Sequence, residues 1–219
     1  MSAHTRQALL IELRRQGIDD EQVLAALATV PREQFVAAAD RERAYENVAL
    51  RIDAGQTISQ PYVVALMAQA LTLAPHERVL EIGTGSGYGA AVLACLAATV
   101  ITIERHPLLA AAARERLALL GYRNIEVVVG DGSLGWPAGA PYDAMCVTAA
   151  APQVPPALVA QLDQHHGRLV VPVGDEEKQR LLLIRLRHGG RHTLNLGPVR
   201  FVPLIGRAGW AAPADDAGE

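Results

Sequence analysis

A run of small and acidic residues in the middle of the chain has the spacing of a nucleotide-type cofactor site. Glu81-Ile82-Gly83-Thr84-Gly85-Ser86-Gly87 follows an apolar stretch that reads as a strand and opens one that reads as a helix. Glycines in such a turn permit positive φ and let the backbone approach a ligand closely. Glu104, with Arg105 beside it, ends the next strand, roughly 20 residues on, where a carboxylate accepts the two hydroxyls of a ribose. Asp131, between Gly130 and Gly132 at the end of the third strand, is placed to receive the exocyclic amine of an adenine. Glu81 stands just ahead of the glycines, where a carboxylate suits a cationic amino-acid group and would repel a pyrophosphate. That charge decides between two cofactors, because Gly85-Ser86-Gly87-Tyr88-Gly89-Ala90 also satisfies the loose dinucleotide pattern. S-adenosylmethionine is expected, and a nicotinamide dinucleotide, hence an oxidoreductase, is the rival.

These residues need strand tips and helix starts to hold them. Residues 79–82, 100–103, 125–129, 142–147 and 168–173 read as strands, with helical segments at 88–97, 107–120 and 154–163 between them. This is the βαβ rhythm of an α/β, doubly wound, mostly parallel sheet covered by helices on both faces. Two β-rich segments, 179–187 and 193–204, flank the turn signal Gly189-Gly190 and suggest an antiparallel edge. Ahead of the alternation, residues 5–16 and a segment beginning at the Asp19/Asp20 cap read as two helices, and 62–73 as a third. The expected organisation is an N-terminal extension and substrate-side segment over 1–60, a cofactor-binding domain over 61–207 and a flexible tail over 208–219.

The 219 residues are 50% hydrophobic and 20% charged, a globular balance, and carry a formal net charge of -3. A chain without basic surplus is not expected to bind nucleic acid or a membrane surface. No apolar run reaches the length of a membrane span or resembles a secretory leader, so the cytoplasm is the expected location. Cys95 and Cys146 lie in apolar runs and are expected as buried thiols. His165-His166 lacks a third ligand at helical spacing, so no metal is expected.

Gly55-Gln56-Thr57-Ile58-Ser59-Gln60-Pro61-Tyr62, taken with Glu81 to Gly87 and Gly130 to Gly132, resembles the signature of the protein-L-isoaspartate O-methyltransferases. The resemblance runs from Val30-Pro31-Arg32 through Pro141-Tyr142-Asp143-Ala144 to Phe201-Val202-Pro203-Leu204. It implies a seven-stranded methyltransferase sheet with an N-terminal extension, and as substrate the free α-carboxylate of L-isoaspartyl residues in damaged proteins and peptides. It also implies that Ser59 is the active-site residue. Asn47 stands where the family often has Asp, Arg51 where Pro is common, Gly89 for a frequent Gln, and His165-His166 before Gly167 for a Gly-Gly pair.

The chemistry so implied asks little of the protein in proton transfer. A carboxylate with a pKa near 4 is already ionised at pH 7, so positioning and exclusion of water are what remain. Ser59 can donate a hydrogen bond that aims one carboxylate oxygen, while Thr57, Ile58, Gln60 and the Pro61 turn form a lid over the cofactor. The competing role for Ser59 is an N-cap of the helix that follows. A monomer is expected, and a methyltransferase serving one dedicated peptide is the alternative within the same chemistry.

Overall fold

The computed structural model describes residues 3–187 and 190–212. Two helices, α1 (Ala3–Arg15) and α2 (Glu21–Thr29), come first; Asp20 caps α2, its Oδ1 accepting from the backbone N–H of Gln22 at 2.9 Å and Val23 at 3.2 Å. A short hairpin, β1 (Leu50–Arg51) and β2 (Thr57–Ile58), pairs antiparallel. There follow α3 (Pro61–Leu71), β3 (Arg78–Ile82), α4 (Tyr88–Ala94), β4 (Thr99–Glu104), α5 (Pro107–Leu119) and β5 (Ile125–Val129). The chain closes with β6 (Ala144–Val147), α6 (Pro156–Ala160), β7 (Arg168–Gly174), β8 (Gln179–Arg187) and β9 (Gly190–Val199).

Seven strands form one sheet in the order β5-β4-β3-β6-β7-β8-β9, with β3 to β7 parallel and β8 and β9 antiparallel. The expected mixed α/β sheet with an antiparallel edge is therefore what forms. Period-two alternation sorts the side chains: Leu80, Ile82, Ile101, Ile103, Met145 and Val147 pack with Leu158 of α6 on one face. Val79, Val100, Ala144, Cys146 and Val170 pack with Met67 and Leu71 of α3 and Leu93 of α4 on the other. Both faces being covered, β6 has no exposed residue, as parallel strands require. The N-terminal helices add a third layer: Leu13, Leu24 and Leu27 share a cluster with Tyr88, Ala91 and Val92 of α4.

One buried ion pair ties the layers together below the sheet. Arg168 donates to both oxygens of Glu77, at 2.8 and 2.7 Å, and to the carbonyls of Leu71 and Thr72 that end α3. Burial alone would raise the Glu77 carboxyl, but the Arg168 guanidinium and the Ala74 N–H bring it below its ordinary value.

Three expectations are corrected. Cys95 is exposed, because α4 ends at Ala94 and the chain turns at the surface toward β4; only Cys146 is buried. The last strand ends at Val199, short of 204, because the chain leaves the sheet there to cross over Ala150. Residues 208–210 do not fray: Ala208 N–H donates to Ser133 Oγ at 2.9 Å, and Trp210 donates to Leu204 O at 2.7 Å and through Nε1 to Ala150 O at 3.0 Å. The rest of the expected tail, 213–219, and Gly189 of the expected turn lie outside the described residues.

Candidate active site

The strand order reverses between β4 and β6 on either side of β3, and at such a switch point the loops leaving the carboxyl ends of the strands diverge and open a crevice. Here the crevice has two adjoining lobes, of about 820 and 250 Å3, which share Thr57, Gly83, Gly85, Thr148 and Val202. The glycine turn forms their common floor. Gly83, Gly85 and Gly87 have φ of 96°, 53° and 89°, the left-handed region that an L side chain adopts only with strain. A Cβ on Gly83 would strike the Thr148 hydroxyl, which lies 2.9 Å from Ile82 O and 2.8 Å from Gly83 O and pins the turn to β6.

The smaller lobe is lined by Ile82, Ile103, Glu104, Arg105, His106, Gly132 and Ala149. Glu104 is 5% exposed, and its two oxygens accept from Gly85 N–H at 2.9 Å and His106 N–H at 3.1 Å. A carboxylate has about four acceptor positions, so two hydroxyls can still be received. An apolar lining of Ile82, Ile103 and Ala149 beside a fixed carboxylate fits an adenosine. The structure does not bring Asp131 itself into this lobe. Its Oδ1 accepts from Ser133 N–H at 3.0 Å and Ser133 Oγ at 2.6 Å, and its Oδ2 from Arg207 N–H at 2.8 Å. The side chain expected at the adenine amine is thus a cap that fastens the C-terminal segment to the rim, and Gly132 is the residue that lines the lobe.

The larger lobe is lined by Thr57, Ile58, Ser59, Gln60, Glu81, Gly83, Thr84, Gly85, Ser86, Tyr88 and Thr148 among others. Glu81 lies at its floor, 1% exposed, accepting from the Thr102 hydroxyl at 2.6 Å, and Thr102 in turn lies 2.7 Å from the hydroxyl of Thr84. Burial pushes the Glu81 carboxyl up to about 8; the Thr102 hydroxyl opposes the shift and the nearby Glu104 carboxylate adds to it. Gly89 explains itself here, since a Cβ at that position would collide with Glu81 Oε1. A buried carboxyl facing a cavity fits a cationic ammonium group of the ligand and does not fit a diphosphate.

Ser59 follows β2 and precedes α3, and its hydroxyl has no hydrogen-bond partner among the described residues. It does not cap α3: the Tyr62 N–H is taken by Asn47 Oδ1 at 3.0 Å, while Asn47 Nδ2 donates to Glu12 at 2.8 Å. An Asp at 47 would lose that donation and face Glu12, which accounts for the amide. Ser59 is instead held through its carbonyl, which accepts from Arg32 Nη2 at 2.9 Å. Arg32 is fully buried, donates also to Ala44 O at 2.8 Å, and lies with its guanidinium carbon 4.7 Å from the ring centroid of Tyr88. The sequence marked Arg32 only as part of the resemblance, and did not mark Thr148 or Gln179 as site residues. Arg105 packs beside His106, 3.3 Å from its Nε2. His165-His166 lies elsewhere, His166 between Asp143 and Asp163, and no metal-binding group exists among the described residues.

A family model described as Protein-L-isoaspartate(D-aspartate) O-methyltransferase matches residues 4–209. A Protein-L-isoaspartate O-methyltransferase of Herpetosiphon aurantiacus is 53% identical over 206 residues, covering 94% of this chain and 92% of its own. One of Methanoculleus marisnigri is 54% identical over 199 residues, covering 91% and 90%. Among solved structures, a protein-L-isoaspartate O-methyltransferase superposes with a TM-score of 0.84 at 30% identity, covering 93% of this chain and 67% of that one. A Plasmodium falciparum protein assigned to the same class, solved with S-adenosyl-L-homocysteine, gives 0.77 at 26% identity, covering 91% and 98%. With a glycine-turned adenosine lobe, a buried carboxyl beneath the second lobe and Ser59 over it, the chain belongs to the protein-L-isoaspartate O-methyltransferase family.

Proposed function

We propose that this chain methylates the free α-carboxylate of L-isoaspartyl residues in damaged proteins of unrelated sequence, as the first step of their repair through a succinimide, with Ser59 aiming the attacking oxygen. As a member of its family it is an S-adenosylmethionine-dependent carboxyl methyltransferase. One observation carries the choice of nucleophile: among the described residues no His, Lys or Cys lines the larger lobe, and its one carboxyl, Glu81, is committed to the cofactor's ammonium group. An amine or hydroxyl nucleophile would need a base there, whereas a carboxylate is ionised at neutral pH and needs none.

Bound in the two lobes, S-adenosylmethionine supplies an electrophilic methyl group on a sulfonium. The protein's residues do the rest by placement. Glu104 receives the ribose hydroxyls, Glu81 the ammonium group, and the glycine turn Gly83 to Gly87 lies against the ligand backbone. The unpartnered Ser59 hydroxyl donates to one oxygen of the incoming carboxylate, and Arg32 fixes its backbone. Thr57 at the junction of the lobes and Ile58 in the larger one keep water out, which matters because opposite charges are neutralised during transfer.

The protein is read as a cytoplasmic monomer. Supporting this, the large exposed apolar side chains among the described residues, Ile11 on α1, Val48, Leu108 and Leu119 at opposite ends of α5, Val129 on β5 and Leu194 on β9, are not gathered on one element. Cys95 and Cys146 are unpaired, the usage of a reducing compartment. A panel of isoaspartyl peptides of unrelated sequence, with an aged protein alongside, tests general repair. Methylation of most of the panel is expected; activity on a single peptide would replace repair by a dedicated substrate.

A further inference from the structure

Among the described residues, two acidic or basic side chains line the larger lobe. Glu81 is buried in its lining and Arg200 is exposed there; no other described Asp, Glu, Lys, Arg or His lines it. Arg200 has neither an ion-pair partner nor a hydrogen-bond acceptor among the described residues. The backbone that presents it is fixed. Buried Gln179 clamps the next residue from both sides, its Oε1 accepting from Phe201 N–H at 2.7 Å and its Nε2 donating to Phe201 O at 3.1 Å. Val202 O then accepts from Ala150 N–H at 2.8 Å. An uncompensated guanidinium on a fixed stretch of backbone thus lines the same lobe as Ser59.

We propose that Arg200 is an anion subsite for the substrate chain, pairing with an acidic side chain next to the isoaspartyl residue and so selecting acidic damage sites. The proposal rests on the isoaspartyl reading of the lobe. The attacking carboxylate is the poorer partner for this arginine. A guanidinium fork engaging both its oxygens would stabilise a charge that disappears during methyl transfer, and would raise the barrier. A flanking carboxylate keeps its charge throughout, so its pairing with Arg200 is equal in ground and transition states. Such uniform binding lowers KM and leaves kcat alone.

The test uses two peptides identical except for Glu or Lys beside the isoaspartyl residue, and reads the ratio of their kcat/KM values. At low salt the wild type should favour the Glu peptide by about three- to tenfold, carried by KM, the scale of one exposed ion pair gained against one like-charge contact. The preference should shrink as salt screens it. Arg200→Ala should bring the ratio toward one, and Arg200→Glu should invert it; adenosylhomocysteine binding measured on each variant reports that it is folded. A wild-type ratio of one or less, or a ratio the same in all three proteins, overturns the assignment of Arg200 while leaving the isoaspartyl reading intact. Failure of the wild type to methylate either peptide overturns that reading and the Arg200 subsite with it.

Discussion

Lowering the pH from 7 to 6 should weaken adenosylhomocysteine binding roughly tenfold, through one residue. Burial holds the Glu81 carboxyl up at about 8 in the ligand-free protein, so it is mostly protonated at neutral pH, and each further unit of acid reduces the ionised fraction about tenfold. If the carboxylate receives the ligand's ammonium group, binding must ionise it and release close to one proton between pH 6 and 7. On the alkaline side the ammonium itself titrates and loses its charge, so affinity should pass through a maximum above pH 7 and fall again in strong base. The same shift acts on stability. The folded state holds more protons than the unfolded one between 4.5 and about 8, so this group's contribution is fully present below 4.5 and is lost as pH rises through 8. The whole shift corresponds to at most ~5 kcal/mol. Calorimetry in buffers of different ionisation enthalpy counts the protons, and Glu81→Gln should flatten the acid limb. It should also gain stability relative to wild type as pH rises across the window. An affinity independent of pH between 6 and 8, with no proton released, would refute the placement of the ammonium at Glu81.

Ser59→Ala should leave cofactor affinity within about threefold and lower single-turnover methylation by roughly ten- to a thousandfold, the loss expected when one aligned contact goes. Because Asn47 rather than Ser59 caps α3, the variant's stability should change by less than about 0.5 kcal/mol; unchanged turnover would remove Ser59 from the chemistry. Arg168→Met strips the buried Glu77 of its bidentate partner and should cost about 3–5 kcal/mol, or roughly 6–20 °C in Tm. Since the pair depresses the Glu77 carboxyl, its contribution is present above 4.5 and is lost as pH falls through the folded value. A Tm unchanged in Arg168→Met at pH 7 would mean that the pair contributes nothing.

What the residue pattern could express was local. The glycine turn, the strands flanking it and the alternation of helix and strand are written in short-range periodicity, and β3, β4 and β5 lie within a residue of where that periodicity puts them. The supports of the site are long-range pairings that no period encodes. Arg32 reaches Ser59 across 27 residues, Gln179 reaches Phe201 across 22, and Thr148 reaches Gly83 across 65. Asp131 shows the same limit from the other side. Its neighbours mark a turn at a strand tip, but its carboxylate is claimed by Arg207, 76 residues on, which only the folded chain brings near. Helix α6 stops at Ala160, short of its apolar pattern, because the backbone that follows pairs with Tyr142: Gln161 O accepts from Tyr142 N–H at 2.9 Å and Asp163 N–H donates to Tyr142 O at 2.8 Å.

The most direct measurement is methyl transfer from labelled S-adenosylmethionine to one peptide prepared in two forms, with L-isoaspartyl and with L-aspartyl at the same position. The two forms carry the same charge and differ only in where the free carboxylate sits relative to the backbone. Ser59 and the walls of the lobe should admit only the isoaspartyl geometry, so the isoaspartyl form should be methylated and the aspartyl form should stay at background. Equal labelling of the two, or labelling of neither, would contradict the assignment of this site to isoaspartyl carboxylates.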